Sequence, residues 1–466
     1  MDSAKLLAVV VGGVALAACG GSTKSDLSFG GDGGAGSDGG GSSSSTGSSS
    51  GGSSSSTGSS SGGSSSSTGS SSGGSSSSGA SGYAIPLSAP GGADYEYVVK
   101  GTVGDQTFVM TIDTGSTTLA LGGKGCSSCT GVSPLYSPSS SATATGQTAS
   151  EQYEDGSGWS GPVYSDSVDL GNGSPSVSVE LAEITQANGQ FFDGQNDYQG
   201  ILGLGPLGNA VQGTTGYMPA VMMGTGLANI FAFALCDGTG ANAGTMWLGG
   251  DGSPGSAVVY TPLLPISDNN PYYGINVDGV SLGGASVVSN AANTFAQPVL
   301  DTGTSLFYVP TPVFTAFQTA LEASSGFKAL FGSNTFATGN GQNAGCVTDA
   351  SVTDAQVESM LPPITLSLPA MTSGQPDVTI QGSPLDTYLY DGGGGQFCLA
   401  IQDGGPSNQD PSTFGDAFLQ AFTTIVDVAG GRVGFAKTSC PAPAVRRVHH
   451  PAKTGPHRAP RAVVQP

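Results

Sequence analysis

Two short segments of this sequence carry the same chemistry in the same setting. Val109-Met110-Thr111-Ile112 runs into Asp113-Thr114-Gly115-Ser116, and Gln297-Pro298-Val299-Leu300 runs into Asp301-Thr302-Gly303-Thr304. In each, an apolar strand-like run ends on Asp-Thr-Gly followed by a hydroxyl residue. One such tetrapeptide would be weak on its own. Two of them, 188 residues apart, point to an internal duplication in which each half brings one carboxylate to a shared junction. Two carboxyl groups at short range cannot both ionise cheaply, so the pair keeps one proton through a broad acidic range. One member can then serve as a base that activates water and the other as an acid that protonates a carbonyl oxygen, with no nucleophilic side chain and no metal. Gly115 and Gly303 permit the sharp turn that lets backbone approach the pair. Thr114 and Thr302 are expected to brace the two loops against each other.

Competing chemistries find little support. All three histidines, His449, His450 and His457, lie in a Pro- and Arg-rich tail, which leaves no Ser/His or Cys/His pair and no His-based zinc site inside a fold. A formal charge of −21 with only 12 Lys and Arg argues against a nucleic-acid partner, because phosphate binding needs cations to displace counterions. Cys126 and Cys129 form a lone C-x-x-C, weak for zinc without a second pair. The glycine runs at 249–255 and 392–395 precede no helix that could cradle phosphate, and the acidic stretches lack calcium-loop spacing. No metal and no cofactor is implied.

The elements that must position the two aspartates read as β. Tyr95–Lys100, Phe108–Ile112, Val163–Leu170 and Val177–Ile184 are short alternating or apolar runs, punctuated by Gly, Pro, Asn and Asp. Helical spacing is confined to Pro312–Ser324, with Phe314, Phe317 and Leu321 on one face, and to Asp354–Leu361 and Gly415–Ala421. From Tyr83 to Cys440 the region has roughly 360 residues, too many for one sandwich, so two β lobes are expected. Boundaries are placed at 83–260 and 261–441. Six cysteines follow Cys19, an even number that in an exported chain favours disulfides, although fifteen pairings are open.

The ends of the chain are of another kind. Residues 1–19 read as an export signal in which Leu16-Ala17-Ala18-Cys19 resembles a bacterial lipobox, with Cys19 the lipidation site. An ordinary signal peptide with an incidental cysteine is the alternative. Residues 20–82 are a Gly/Ser tether containing an eleven-residue repeat from Gly40 to Ser72; a flexible chain of roughly 60 such residues spans about 40 to 50 Å. Residues 442–466 form a basic, Pro-rich tail expected to be disordered. The implied location is a bacterial cell envelope, lipid-anchored, with Gly20 compatible with outer-membrane sorting and either a periplasmic or a surface-facing orientation.

Taken together, the residues from Tyr95 to Cys440 resemble the pepsin-like aspartic peptidases over nearly the whole catalytic unit. Besides the two Asp-Thr-Gly segments, Tyr153-Glu154-Asp155-Gly156-Ser157 is similar to the family's flap hairpin, whose tyrosine closes over substrate. Gly200-Ile201-Leu202-Gly203-Leu204 is similar to the apolar-apolar-Gly element behind the first catalytic loop. Phe231–Leu235, Trp247–Gly250 and Phe414–Ala436 resemble the strands that cross between lobes and close the chain. The resemblance implies an all-β, bilobal acid-protease fold, two six-stranded-barrel-like lobes with a few short helices and a cleft between them. It implies Asp113 and Asp301 as catalytic residues, Tyr153 as the flap residue, and Thr114, Gly115, Ser116, Thr302, Gly303 and Thr304 as their support. It further implies disulfides Cys126–Cys129, Cys236–Cys440 and Cys346–Cys398, a polypeptide substrate cleaved between bulky apolar residues at acidic pH, and a monomer.

The sequence departs from that pattern in three places. Ala120 stands where the family carries a tryptophan that donates a hydrogen bond to the flap tyrosine. Trp159, six residues past Tyr153, is read as a solvent-side aromatic at a hairpin tip, with replacement of the missing donor as the alternative. The second apolar-apolar-Gly element begins with polar Thr413. Between the tether and Tyr95 there is no Lys or Arg, so no conventional basic inhibitory segment is expected; a requirement for cleavage within residues 83–94 would refute that. Ala120 motivates a competing reading, a catalytically silent binder on the same fold, although both aspartates and Tyr153 are retained. A surface spacer or adhesin built on the Gly/Ser tract and tail is the third reading.

Overall fold

The computed structural model describes residues 82–440, outside 91–95, 154–155, 189–190, 193–197, 207–209, 212, 237–239, 268–269, 290–294, 296–297, 337–344, 407–411 and 439. Cys19, the Gly/Ser tether, the basic tail and Tyr95 therefore lie outside the described residues.

Among the described residues the chain opens on the strands β1 (Tyr83–Ala89), β2 (Val98–Val103), β3 (Gln106–Asp113), β4 (Leu119–Gly122), β5 (Thr143–Gln152), β6 (Gly158–Asp169), β7 (Val177–Ile184), β8 (Gln186–Asn188) and β9 (Gly200–Gly203). Strands β2, β3, β9, β4, β7 and β6 pair in that order, and β6 returns onto β2 through Thr102↔Asp169 and Val103↔Val168, closing a six-stranded barrel. Closure follows from alternation. Phe108, Met110 and Ile112 of β3 and Val179 and Leu181 of β7 are buried, while the intervening residues are more open, so one face of each strand fills the interior.

Strands β10 (Ile230–Leu235) and β11 (Gly240–Leu248) lead out of this barrel. Strand β10 pairs with β11 on one side and with Phe422–Asp427 near the end of the described chain on the other; Phe422–Asp427 in turn pairs with Arg432–Lys437. Strand β1 joins the same platform against β11, from Tyr83↔Leu248 to Ala89↔Gly240. The segment ahead of residue 95 thus contributes a strand to the sheet that links the halves.

The second half carries its strands in smaller sheets. Ala285–Ser289, Gly279–Leu282, Ile364–Leu368 and Val378–Gly382 form one; Cys346–Thr348, Gln396–Leu399 and Leu389–Gly393 form another. Around Asp301 the arrangement of the first half is repeated. Val299–Leu300 runs parallel to Thr413–Phe414, as β3 runs parallel to β9, and Phe307–Val309 runs antiparallel to Thr413–Phe414, as β4 does to β9. The duplication in the sequence is a duplication of strand pairing. Among the described residues helices are few, and the longest of them, Thr311–Ala323, buries Val313, Phe317 and Leu321 at helical spacing. Helix Asp354–Met360 starts on a capping box between Thr353 and Gln356.

All three expected disulfides are formed. Cys346 and Cys398 sit directly opposite each other in an antiparallel pair. Cys236–Cys440 ties the residue after β10 to the third residue past the last strand, across a separation of 204 residues.

Candidate active site

Both aspartates sit at strand ends on matching loops. The Oδ1 of Asp113 accepts from the N–H of Gly115 at 2.7 Å and of Ser116 at 3.2 Å, and its Oδ2 accepts from the Ser116 hydroxyl. On the other side, Asp301 Oδ1 accepts from Gly303 N–H at 2.8 Å and its Oδ2 from the Thr304 hydroxyl at 2.6 Å. Each motif therefore holds its own carboxylate by one turn of backbone and one hydroxyl. The glycines serve the opposite aspartate: a Cβ on Gly115 would lie 2.5 Å from Asp301 Oδ1, and a Cβ on Gly303 would lie 2.5 Å from Asp113 Oδ1. A side chain at either position would occupy the space in which the two carboxyls meet.

The threonines between lock the loops together. Thr114 Oγ1 donates to Leu300 O at 2.8 Å and accepts from Thr302 N–H at 3.0 Å; Thr302 Oγ1 donates to Ile112 O at 3.0 Å and accepts from Thr114 N–H at 3.1 Å. The expected bracing is present as four buried hydrogen bonds. Behind the loops, Leu204 N–H donates to Asp113 O at 2.7 Å and Asp301 N–H to Phe414 O at 3.0 Å. Polar Thr413 leaves that second contact intact.

Burial is nearly complete at both carboxyls, with Asp113 3% and Asp301 0% exposed. Loss of hydration raises the pKa of Asp113 above the usual carboxylate range, against the opposing effect of the Ser116, Asp301 and Gly115 hydrogen bonds. Asp301 is pushed well up, first by burial and then by the negative charge of Asp113. Each carboxyl therefore holds its proton more tightly than a free aspartic acid does, and the charge of Asp113 opposes ionisation of Asp301.

The hairpin β5–β6, whose last pair is Gln152↔Gly158, brings Glu151 and Tyr153 within electrostatic reach of Asp113. Tyr153 is buried at its turn, where its N–H reaches Ser157 O at 2.9 Å and its ring stacks on Phe191 at 5.7 Å between centroids. Residues 154 and 155 of the expected flap segment lie outside the described residues. Trp159 is not a solvent-side aromatic. It is 4% exposed, and its indole N–H donates to Tyr153 Oη at 3.0 Å. The register explains the difference: Glu151 faces Trp159 across the ladder, and Tyr153 lies two residues beyond Glu151, so all three side chains share the inner face. Ala120 is fully buried in the same apolar cluster as Trp159 and Tyr153. The donor missing from β4 is supplied from β6.

Glu151 is the site residue that the sequence reading missed. It is half-buried on the inner face of the flap, and its Oε2 lies 3.5 Å from Tyr153 Oη. Loss of hydration raises its pKa from 4.5 to about 8, and its charge would raise that of Asp113. The available signal was the period of two counted back from Tyr153. Among the described residues no cluster suited to a metal ion occurs.

The chain can now be set beside known proteins. The profile of the family described as Eukaryotic aspartyl protease matches residues 96–438. An aspartic protease of Phaffia rhodozyma is 29% identical over 343 residues, covering 72% of this chain and 75% of that protein. Aspergillopepsin-1 of Aspergillus oryzae is 30% identical over 355 residues, covering 74% and 80%. Rhizopuspepsin-3 of Rhizopus niveus is 32% identical over 248 residues, which are 51% of this chain and only 60% of that relative. With its paired Asp-Thr-Gly loops and closed barrel, the chain belongs to the eukaryotic aspartyl protease family, the pepsin-like aspartic endopeptidases.

Proposed function

We propose that Asp113 and Asp301 are the catalytic pair of this peptidase and that it hydrolyses polypeptides at acidic pH. The observation that carries the assignment is the pair of buried carboxyls, each held by its own loop and each facing the glycine of the other. In the single-proton form, the ionised carboxyl takes a proton from a water held between the two as the oxygen attacks the peptide carbon. The protonated carboxyl donates to the carbonyl oxygen as the tetrahedral intermediate forms. Its collapse then breaks the C–N bond as the leaving nitrogen is protonated. Tyr153, steadied by Trp159, covers the substrate and excludes water. The aromatic side chains Tyr153 and Phe191 on the flap side favour bulky apolar residues flanking the scissile bond. Lipidation at Cys19 and a tether through residues 20–82 would hold a monomeric enzyme at a bacterial membrane, with lobes meeting near residue 260.

The test is hydrolysis of denatured haemoglobin or casein by the full chain between pH 2 and 7. Pepstatin-sensitive cleavage that disappears in Asp301→Asn is expected. Absence of cleavage at every pH from folded, disulfide-bonded protein would replace this reading with that of a silent binder.

A further inference from the structure

The duplication that repeats the Asp-Thr-Gly loops also repeats a tyrosine behind each of them. Tyr97 O accepts from the N–H of Ile112, the residue ahead of Asp113, at 3.0 Å, and Tyr273 O accepts from the N–H of Leu300, the residue ahead of Asp301, at 2.9 Å. Both side chains are buried. Their hydroxyls part company. That of Tyr97 donates to Cys236 O at 3.2 Å, at the disulfide that follows β10. That of Tyr273 donates to Leu204 O at 3.1 Å, just past β9 in the half that carries Asp113.

Leu204 C=O shares one planar peptide unit with Gly205 N–H, and what surrounds that unit serves Asp113. Gly205 N–H donates to Ser116 O at 2.7 Å, and the Ser116 hydroxyl donates to Asp113 Oδ2. Leu204 N–H donates to Asp113 O at 2.7 Å. The Tyr273 hydroxyl therefore grips one end of a rigid plate whose other end sets the residue that holds the Asp113 carboxyl. Its ring lies against Phe231 of β10, 5.4 Å between centroids, so the grip is anchored to the linking sheet. Through its carbonyl the same residue fixes the strand that ends on Asp301. Tyr273 thus joins the supports of both carboxyls by contacts separate from the threonine bracing.

On the footing of the peptidase reading, we propose that Tyr273 is a positioning residue for peptide hydrolysis, whose hydroxyl fixes the placement of the Asp113 carboxyl relative to that of Asp301. It acts through the peptide between Leu204 and Gly205 and through Ser116, not on the reacting atoms. Without the hydroxyl, the buried Leu204 carbonyl loses a donor and the plate turns toward another partner. The effect of one carboxyl on the ionisation of the other depends on their separation. A loosely held Asp113 therefore weakens that effect, and the two ionisations of the pair draw closer together. Turnover falls in the same variant, because small displacements between reacting groups are costly.

The experiment compares Tyr273→Phe with Tyr97→Phe in the full chain. Each variant loses one hydroxyl that donates to a backbone carbonyl, so a purely structural cost falls on both. Carbon-13 NMR of labelled aspartate carboxyls, titrated from about pH 2 to 8, reads the two ionisations of the pair without any substrate; Asp113→Asn and Asp301→Asn identify the signals. Steady-state rates on one peptide give kcat and KM. Expected for Tyr273→Phe is a gap between the two ionisations narrower than in the unaltered protein, with kcat about tenfold lower and KM unchanged. Tyr97→Phe should keep the native gap and the native kcat, whatever it loses in unfolding temperature. A native gap in Tyr273→Phe, or an equal narrowing in Tyr97→Phe, would overturn the assignment. The two readings fail separately. Cleavage by the unaltered protein with the gap unmoved in Tyr273→Phe removes Tyr273's role and leaves the peptidase; a gap narrowed in Tyr273→Phe alone, with no cleavage by any of the proteins, does the reverse.

Discussion

Replacing Thr302 by valine isolates what the threonine bracing contributes, because valine keeps the shape and removes only the hydroxyl. In the native arrangement that hydroxyl accepts from Thr114 N–H at 3.1 Å and donates to Ile112 O at 3.0 Å, in a residue 1% exposed. Thr302→Val leaves the amide without its acceptor and takes one donor from the carbonyl. Each buried polar group deprived of its partner costs about 1 to 3 kcal/mol, which puts the loss near 2 to 4 kcal/mol. Thr302→Ser keeps both bonds and removes one buried methyl, about 0.8 kcal/mol. The valine protein should therefore be the less stable of the two by roughly 2 kcal/mol, or at least about 4 °C in unfolding temperature at the ~2 °C per kcal/mol of a large domain.

Activity should separate the variants in the same order. The lost bonds join the loop of Asp301 to the loop of Asp113, and small displacements between reacting groups are costly. A fall of more than about tenfold in kcat is expected for valine and a smaller one for serine. Calorimetric scans and steady-state kinetics on one peptide give both numbers. Valine and serine proteins that unfold at the same temperature and turn over equally fast would refute the bracing argument.

Two further substitutions test the flap. Trp159→Phe keeps an aromatic ring in the buried site but removes the donor to Tyr153 Oη; a lost bond of about 1 kcal/mol predicts a five- to tenfold lower kcat/KM, read from initial rates. Glu151→Gln tests the displaced titration through stability. Folding raises the Glu151 pKa from 4.5 to about 8, so the native state holds a proton that the unfolded chain releases between those values. The resulting stabilisation is complete below about pH 4.5 and is lost as pH rises toward 8. Between pH 5 and 8 the unfolding temperature of the unaltered protein should fall more steeply than that of Glu151→Gln; parallel curves would remove Glu151 from the titrating groups.

Much of this site was legible in the residues because its information is local. An apolar strand ending in Asp-Thr-Gly specifies a loop whose amides and hydroxyl point at its own carboxylate, and the repeat at residue 301 specifies the partner. The strands around residues 108–112, 163–170 and 177–184 and the helix over 311–323 were equally readable from periods of two and 3.6. What escaped depends on register. Whether Trp159 faces water or the flap tyrosine is decided by its pairing with Glu151, and a slip of one residue would send it to the other face. The turn residues between Tyr153 and Gly158 do not reveal that pairing. Strand β1 escaped for a related reason: its partner β11 lies more than 150 residues away, and nothing in residues 83–89 names it.

The exchange of a tryptophan on β4 for one on β6 has a mechanical consequence. A donor on the barrel wall and an acceptor on the flap would belong to two separate elements. Here donor and acceptor belong to one hairpin, joined through the pairs Gln152↔Gly158 and Glu151↔Trp159, and they travel together. Tyr153 is therefore oriented by Trp159 from within its own hairpin, with no donor required from β4. The same rigid unit carries Glu151.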